Sequence, residues 1–397
     1  MARVLFINLG SEGHINPTIR VVQELTSRGE EVVYFTIEDF QERIEKAGAT
    51  VRTIEGEKFI KAFISGGRNN FLERINGLLR TADIVIPKVL EQIEGEHFDY
   101  MIHDSMFGCG YLLAQILKLP AINSCTSFAQ AKQSFDLMFE QLSKNIPSET
   151  YAEFQRLKEG VEEKYGVEIH SPYEVFCNPA LLTIVYTTRE FQPLGDEFDP
   201  TYKFIGPSIV SSLTHEDDYD LTAIMEKKPI YISLGTVFNQ AIDFYKLCFE
   251  AFGNTEHTVV LSIGGKIQAW DLGDIPDNFI VKNYVPQTEV LKHTKLFITH
   301  GGMNSVHEGL YYGVPLIVIP QGADQPVIAS QVSNTRAGIQ LQMQDLTANL
   351  LRESADHLLK LPSFQKAAAK MSESLQKSGG YQQAVKEIFE FKRQNNI

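Results

Sequence analysis

The stretch FITHGGMNSVHEGLYYGVP, Phe297–Pro315, sets a histidine, glycines, an asparagine, a serine and a glutamate between two apolar runs. The first run reads as a buried strand ending at His300, and NSVHEGLYY reads as the start of a helix. HGGMNS is then a strand-to-helix turn. Gly301 and Gly302 permit positive φ and a close approach of backbone to a ligand. Asn304 or Ser305 is expected to cap the helix. The N–H groups at that helix start, with the positive end of the helix dipole, suit an anion such as phosphate. His300 and the Ser305 hydroxyl add donors. Glu308, one turn into the helix, can accept hydrogen bonds from a diol such as that of a ribose. On this stretch alone a simple capped turn remains the alternative, because neither GxGxxG nor GxxxxGKS/T occurs in it.

The flanks add chemistry. In NYVPQTEVL, Tyr284 offers a flat face for a base and Gln287 an amide that can read a ring edge. In PQGADQP, Asp324 and Gln325 follow the next strand and can grip sugar hydroxyls. A base platform, a ribose acceptor, a phosphate cradle and sugar-binding groups together describe a nucleotide-sugar site. Far away in sequence, GSEGHINP puts His14 in the turn after the first strand, and Asp104 ends the strand FDYMIHD. Histidine suits a general base, with an unperturbed pKa of about 6.5. A carboxylate bonded to one imidazole nitrogen would fix its tautomer and stabilise the imidazolium. Turn capping by His14 and helix capping by Asp104 are the bland alternatives. His103 precedes Asp104 and turns to the opposite face by strand alternation.

These residues need a scaffold. VLFINL (Val4–Leu9) reads as a strand, followed by a helix over NPTIRVVQELTSRG with Asn16 as cap, Pro17 first and Gly29 last. EVVYFT, FDYMIHD, PAINSCT and PALLTIVYTT continue as strands, with GYLLAQILKL helical between two of them. GPSIVSSLTHEDDYDLTAIMEKKP, Gly206–Pro229, changes texture and reads as a linker. A second series follows: IYISLG, TVVLSIGG, NFIVKNYVP, LFITHGG and PLIVIPQG, then amphipathic helices ending in YQQAVKEIFEFKRQ. This rhythm predicts an α/β protein of two Rossmann-like, doubly wound parallel sheets facing across a cleft. Ligands bind beyond the carboxyl ends of such strands, which is where the polar clusters fall. The expected domains are 1–205, a linker over 206–228, and 229–380, which carries the nucleotide-sugar cluster. Residues 381–397 are expected to form a C-terminal helix that packs back on the first domain.

Composition narrows the choices. At 397 residues the chain is too long for one ordinary core. A formal net charge of -14 argues against nucleic acid and against an anionic membrane surface. Cys109, Cys125, Cys177 and Cys248 are scattered without a CxxC, which suits a reducing cytoplasm. No apolar run reaches the ~20 residues of a membrane span, so stable membrane insertion is not expected. MARVLFINLG reads as a first strand rather than a signal peptide. DYD at Asp218–Asp220 lies in the acidic linker and reads as solvated loop, and His300, His307 and Glu308 lack a HExxH spacing. No bound metal or permanent cofactor is expected.

YVPQTEVLKHTKLFITHGGMNSVHEGLYYGVPLIVIPQGADQ resembles the donor signature of the UDP-glycosyltransferase superfamily, close to the bacterial macrolide and flavonoid glycosyltransferases. GSEGHINP and FDYMIHD are also similar to that family, so the resemblance covers both halves. It implies a GT-B fold, with 1–205 binding the acceptor and 229–380 the nucleotide-sugar donor, and a UDP-sugar co-substrate. By the same resemblance Tyr284 would stack on the base and Gln287 would contact uracil or ribose. His300, Asn304, Ser305 and the Gly302 backbone would hold the phosphates, with Thr236 of SLGT as a further donor. Glu308 would bind the ribose, and Asp324, Gln325 and Thr126 the transferred sugar, glucose by analogy at Gln325. Met303 and Gly301 depart from plant relatives, which carry Trp and often Cys there.

The resemblance also implies that His14 and Asp104 touch. The expected reaction is a single inverting displacement by a hydroxyl of a small apolar acceptor, without a metal. Phe63, Phe128 and Phe135 are candidates for an acceptor pocket that would suit a flavonoid or a macrolide; most apolar residues around them are expected to be core. A nucleotide-sugar 2-epimerase and a non-catalytic UDP-sugar-binding protein are the alternatives. A nicotinamide dehydrogenase fits less well, since GSEGHINP is not a dinucleotide fingerprint.

Overall fold

The computed structural model describes residues 2–209, 226–235 and 239–397. The expected linker lies largely outside the described residues, as do the whole of Asp218–Asp220 and Thr236. The chain forms two compact units, Met1–Ser208 with Gly379–Ile397, and Ile209–Ser378.

The first unit is a parallel sheet of seven strands: β1 (Arg3–Ile7), β2 (Glu31–Thr36), β3 (Thr50–Thr53), β4 (Tyr100–Asp104), β5 (Ala121–Cys125), β6 (Leu182–Val185) and β7 (Tyr202–Phe204). Their order is β3-β2-β1-β4-β5-β6-β7, so the winding reverses between β1 and β4. Both faces are covered by helices, which is why β1 reads as a near-continuous apolar run. Val4, Leu5, Phe6 and Ile7 are fully buried, each burial contributing roughly 1.5–3 kcal/mol. Buried polar residues gather in β4 and β5 toward their carboxyl ends: His103, Asp104, Asn123 and Ser124.

The helix after β1 runs Glu12–Ser27, not from Pro17 as the sequence suggested. Proline favours a first helical position, but packing decides otherwise here. Ile15, Thr18, Val22 and Leu25 already form one buried face, so the face begins before the proline. The Ser11 carbonyl accepts from the N–H of His14 at 2.8 Å and of Ile15 at 3.0 Å. His14 therefore sits in the first turn of a helix rather than in a loop. The last helix, Gly380–Gln394, packs against Glu12–Ser27. Its Lys392 Nζ donates to Glu30 Oε1 at 2.7 Å, with both side chains almost wholly buried.

The second unit is a parallel sheet of six strands: β8 (Ile230–Ser233), β9 (Val259–Ser262), β10 (Phe279–Lys282), β11 (Leu296–Thr299), β12 (Leu316–Val318) and β13 (Gly338–Gln340). The order β10-β9-β8-β11-β12-β13 reverses between β8 and β11. Among the described residues no helix is long and apolar enough to cross a membrane. The fold class expected from the βαβ rhythm is the one found: two doubly wound parallel sheets.

Candidate active site

In the first unit the chemistry gathers where β1 and β4 part, the switch point at which open α/β sheets bind ligands. Asn8 closes the turn after β1. Its Nδ2 donates to the His14 carbonyl and its Oδ1 accepts from the Gly10 N–H, both at 3.0 Å. A Cβ on Gly10 would lie 2.4 Å from that of His14, so only glycine lets the backbone pass so close. His14 Nδ1 meets Asp104 Oδ2 at 2.7 Å. Asp104 Oδ1 accepts from the N–H groups of Met106 at 2.9 Å and Phe107 at 2.8 Å. An ionised carboxylate only accepts, so Nδ1 carries the proton and Nε2 keeps its lone pair.

Thr126 Oγ1 lies 3.2 Å from the same Nδ1. The Phe107 ring stands edge-on to His14 at 5.1 Å, and Phe63 stands edge-on to Phe107 at 5.6 Å. Both phenylalanines are half-buried. The other two acceptor candidates are buried. Phe135 is 1% exposed among Phe71, Phe139, Phe176 and Tyr173, a core position. Phe128 is buried against Phe191. His103 packs against Gly110, where a Cβ would strike its ring, and burial pushes its pKa down to about 4.

In the second unit the polar cluster lies where β8 and β11 part. Gly235 follows β8 with φ +72, and a Cβ there would lie 2.6 Å from His300 Cε1. A Cβ on Gly302 would lie 2.6 Å from His300 Nε2. The imidazole is thus held between two glycines. Burial pushes its pKa down to about 4, against a hydrogen bond with the Ser233 backbone. His300 is therefore neutral near pH 7, and its one N–H is engaged by the Ser233 backbone.

Neither Asn304 nor Ser305 caps the following helix. It runs Met303–Tyr311 with Gly302, extended at φ -63 and ψ 138, as N-cap and no side-chain cap bond. The chain reverses at Gly301, φ +91, so the helix starts two residues before Ser305. Asn304 and Ser305 fall inside its first turn, where backbone N–H groups lack helical partners and favour an anion.

Gln287 opens a short helix, Gln287–Leu291, and its amide is engaged within the protein. Its Nε2 donates to Glu308 Oε2 at 2.6 Å and to Ser305 Oγ at 3.3 Å. Its Oε1 accepts from the hydroxyl of Tyr231 at 3.0 Å. Burial pushes the Glu308 carboxyl up to about 7, and the Gln287 bond opposes the shift. Tyr284 is 55% exposed, with its hydroxyl against Gly265. Gln325 is buried, and its Oε1 accepts from the N–H groups of Gln321 at 2.7 Å and Gly322 at 3.1 Å. Asp324, exposed, precedes the helix Gln325–Asn334. Sequence reading missed Asn8, Phe107 and Tyr231. Only Asn8 carried a signal, as a polar residue ending an apolar run.

The Glycosyltransferase family 28 N-terminal domain matches residues 4–94, and the Erythromycin biosynthesis protein CIII-like C-terminal domain matches residues 246–390. The chain is 37% identical to a protein of Bacillus subtilis (strain 168) named uncharacterized UDP-glucosyltransferase YojK, over 99% of this chain and 98% of the relative. The chain belongs to the UDP-glycosyltransferase superfamily. The resemblance read from the donor signature thus holds along the whole sequence. This glycosyltransferase is also 31% identical to the NDP-glycosyltransferase YjiC of Bacillus licheniformis, over 98% of this chain and 97% of the relative. Its structure is similar to that of CalG4, the calicheamicin glycosyltransferase, with a TM-score of 0.86, 26% identity and 99% and 98% of the two chains covered. The matched segments of the superfamily member include His14 in one half and the Tyr284–Gln325 cluster in the other.

Proposed function

We propose that this glycosyltransferase moves glucose from UDP-glucose to a hydroxyl of a small apolar acceptor, such as a flavonoid or a macrolide, with inversion. The hydrogen bond of His14 Nδ1 with Asp104 Oδ2, at 2.7 Å, carries the reading. His14 Nε2 takes the acceptor proton as the hydroxyl oxygen bonds to the anomeric carbon. The bond from that carbon to the diphosphate oxygen breaks, and UDP leaves from the opposite face. An α-linked donor then gives a β-glycoside. Asp104 stabilises the imidazolium, which passes its proton to water. The half-buried rings of Phe63 and Phe107 give the acceptor an apolar surface beside the base.

Charge developing on the diphosphate is met by the N-terminus of Met303–Tyr311, Asn304 and Ser305. Thr236 is proposed as a further donor. Tyr284 carries the base, Glu308 the ribose, and Asp324 and Gln325 the sugar. This donor set acts without a metal. The names of YojK as a UDP-glucosyltransferase and of CalG4 as a calicheamicin glycosyltransferase support the donor and the acceptor class. Cytoplasmic residence agrees with scattered thiols and a soluble nucleotide donor.

The test is UDP release from UDP-glucose in EDTA with a panel of phenolic and macrolide acceptors, and the anomeric configuration of the product by NMR. Acceptor-dependent release giving a β-glycoside is expected. Release abolished by EDTA, or an α-glycoside, would overturn the mechanism.

A further inference from the structure

The start of the helix Glu12–Ser27 carries His14, and its own hydrogen bonding is incomplete. Pro17 lies inside the helix and has no N–H, so the usual bond from residue 17 back to the carbonyl of residue 13 cannot form. The His14 ring must nevertheless meet a fixed carboxylate, with Nδ1 2.7 Å from Asp104 Oδ2. Two groups outside the helix take hold of this turn. Asn8, just after β1, donates from Nδ2 to the His14 carbonyl at 3.0 Å. The second hold starts at Tyr34, in the neighbouring strand β2.

Tyr34 is wholly buried, opposite Phe6 of β1, and the two rings stack at 4.5 Å. Its hydroxyl lies 2.9 Å from Thr18 Oγ1. The Thr18 hydroxyl has one proton and gives it to the Ile15 carbonyl at 2.8 Å, a group that can only accept. Thr18 Oγ1 therefore accepts from Tyr34, and the direction of the chain is set: phenol to Thr18 to the Ile15 carbonyl. Burial pushes the Tyr34 pKa up, so the phenol keeps the proton it donates. Thr18 is wholly buried as well, and water does not compete for either bond. Consecutive carbonyls, those of His14 and Ile15, are thus held from adjacent strands of the sheet. A phenylalanine would fill the space of the Tyr34 ring and stack as well; what the hydroxyl adds is the hold on Thr18.

We infer that Tyr34 and Thr18 are positioning residues for the base: the buried chain of hydrogen bonds from the Tyr34 hydroxyl through Thr18 to the Ile15 carbonyl fixes the turn that holds His14 against Asp104. Both side chains are shut off from solvent and act through His14. This inference rests on the proposed role of His14 as the base.

Two measurements on the full chain test it. The first is the NMR resonance of the His14 Nδ1 proton in protein with 15N-labelled histidine, assigned by its loss in His14→Ala; it needs no acceptor. Tyr34→Phe and Thr18→Val each break the chain, and each should move this resonance upfield as the bond to Asp104 loosens. Thr18→Ser keeps a hydroxyl and should leave it in place. The second is UDP release from UDP-glucose at saturating donor and acceptor. Tyr34→Phe and Thr18→Val should each slow it roughly tenfold, less than the ~10²-fold of a 1 Å misplacement, with UDP affinity unchanged. Thr18→Ser should recover most of the rate, and Tyr34→Phe should add no loss in the His14→Ala background. A merely structural role would leave the Nδ1 proton where it was, or would slow the His14→Ala protein by the same factor. Either result would overturn the inference and leave His14 standing as the base. A His14→Ala variant that turns over within a few-fold of the unmodified enzyme would overturn the inference together with the base reading beneath it.

Discussion

Asp104 divides its carboxylate between two tasks: Oδ2 meets His14 Nδ1 at 2.7 Å, and Oδ1 is tied to the N–H groups of Met106 and Phe107. The second task fixes the first. A carboxylate anchored by its own turn cannot rotate, so the imidazole has one orientation and one tautomer. Asp104 is wholly buried while His14 is 17% exposed, and the proposed base is the ring nitrogen that Asp104 does not hold.

Replacing Asp104 by Asn keeps the shape and offers an N–H where an acceptor stood. The imidazole then favours the tautomer with its proton on Nε2, which is useless as a base. UDP release at saturating substrates should fall roughly 10²–10⁴-fold, with UDP affinity unchanged. Steady-state rates and a UDP titration check both halves.

Gly10→Ala tests how closely the backbone holds the base. The added methyl would lie 2.4 Å from the Cβ of His14, so the ring must move. Overpacking of this kind costs about 1–3 kcal/mol, and denaturant unfolding should show it. The rate should drop further than the stability change explains, because a displaced base no longer reaches the hydroxyl.

These two residues show what was legible in the sequence. Apolar runs broken by polar residues at their ends marked the ligand edge of each sheet, and His14, Asp104, His300 and Glu308 all lie there. What stayed hidden depends on distance along the chain. Tyr231 reads as one more core aromatic, because its hydroxyl's partner is 56 residues away. Phe107 belongs to the turn after β4, and nothing local says that its ring meets His14. Pro17 misled for a local reason: its preference for a helix start gave way to a buried face that begins at Ile15. Phe128 and Phe135 are aromatic, a property the core shares with a pocket, and sequence alone does not separate the two.

Glu308 should make nucleotide binding depend on pH. Its folded pKa is raised to about 7, above the ordinary 4.5, because burial disfavours the charged form. In the unliganded protein this costs stability as pH rises from 4.5 through 7, and the cost is complete above that. In the proposed site the ribose hydroxyls would stabilise the ionised form, so UDP should bind more tightly as pH rises from 6 to 8. The terminal phosphate of UDP titrates nearby, near 6. 2′,3′-dideoxy-UDP shares that phosphate, so the ratio of the two affinities isolates Glu308. The ratio should climb through pH 7 and be flat in Glu308→Gln.

The pair of Lys392 with Glu30 should fasten the last helix. Tyr100 donates its hydroxyl to Glu30 Oε2 at 3.1 Å, so the buried carboxylate is held from two sides. Lys392→Met strands that charge, and stability should fall by about 3–5 kcal/mol. Glu30→Gln together with Lys392→Met removes both charges and should recover much of the loss. Urea unfolding of the single and double variants measures it.

The central claim is that His14 takes the proton from the acceptor. It is tested most directly by the rate of UDP release from UDP-glucose by His14→Ala, at saturating donor and acceptor, beside the UDP affinity of the same variant. A loss of at least about 10²-fold in rate with unchanged affinity is the expected result. A variant that turns over within a few-fold of the unmodified enzyme would contradict it.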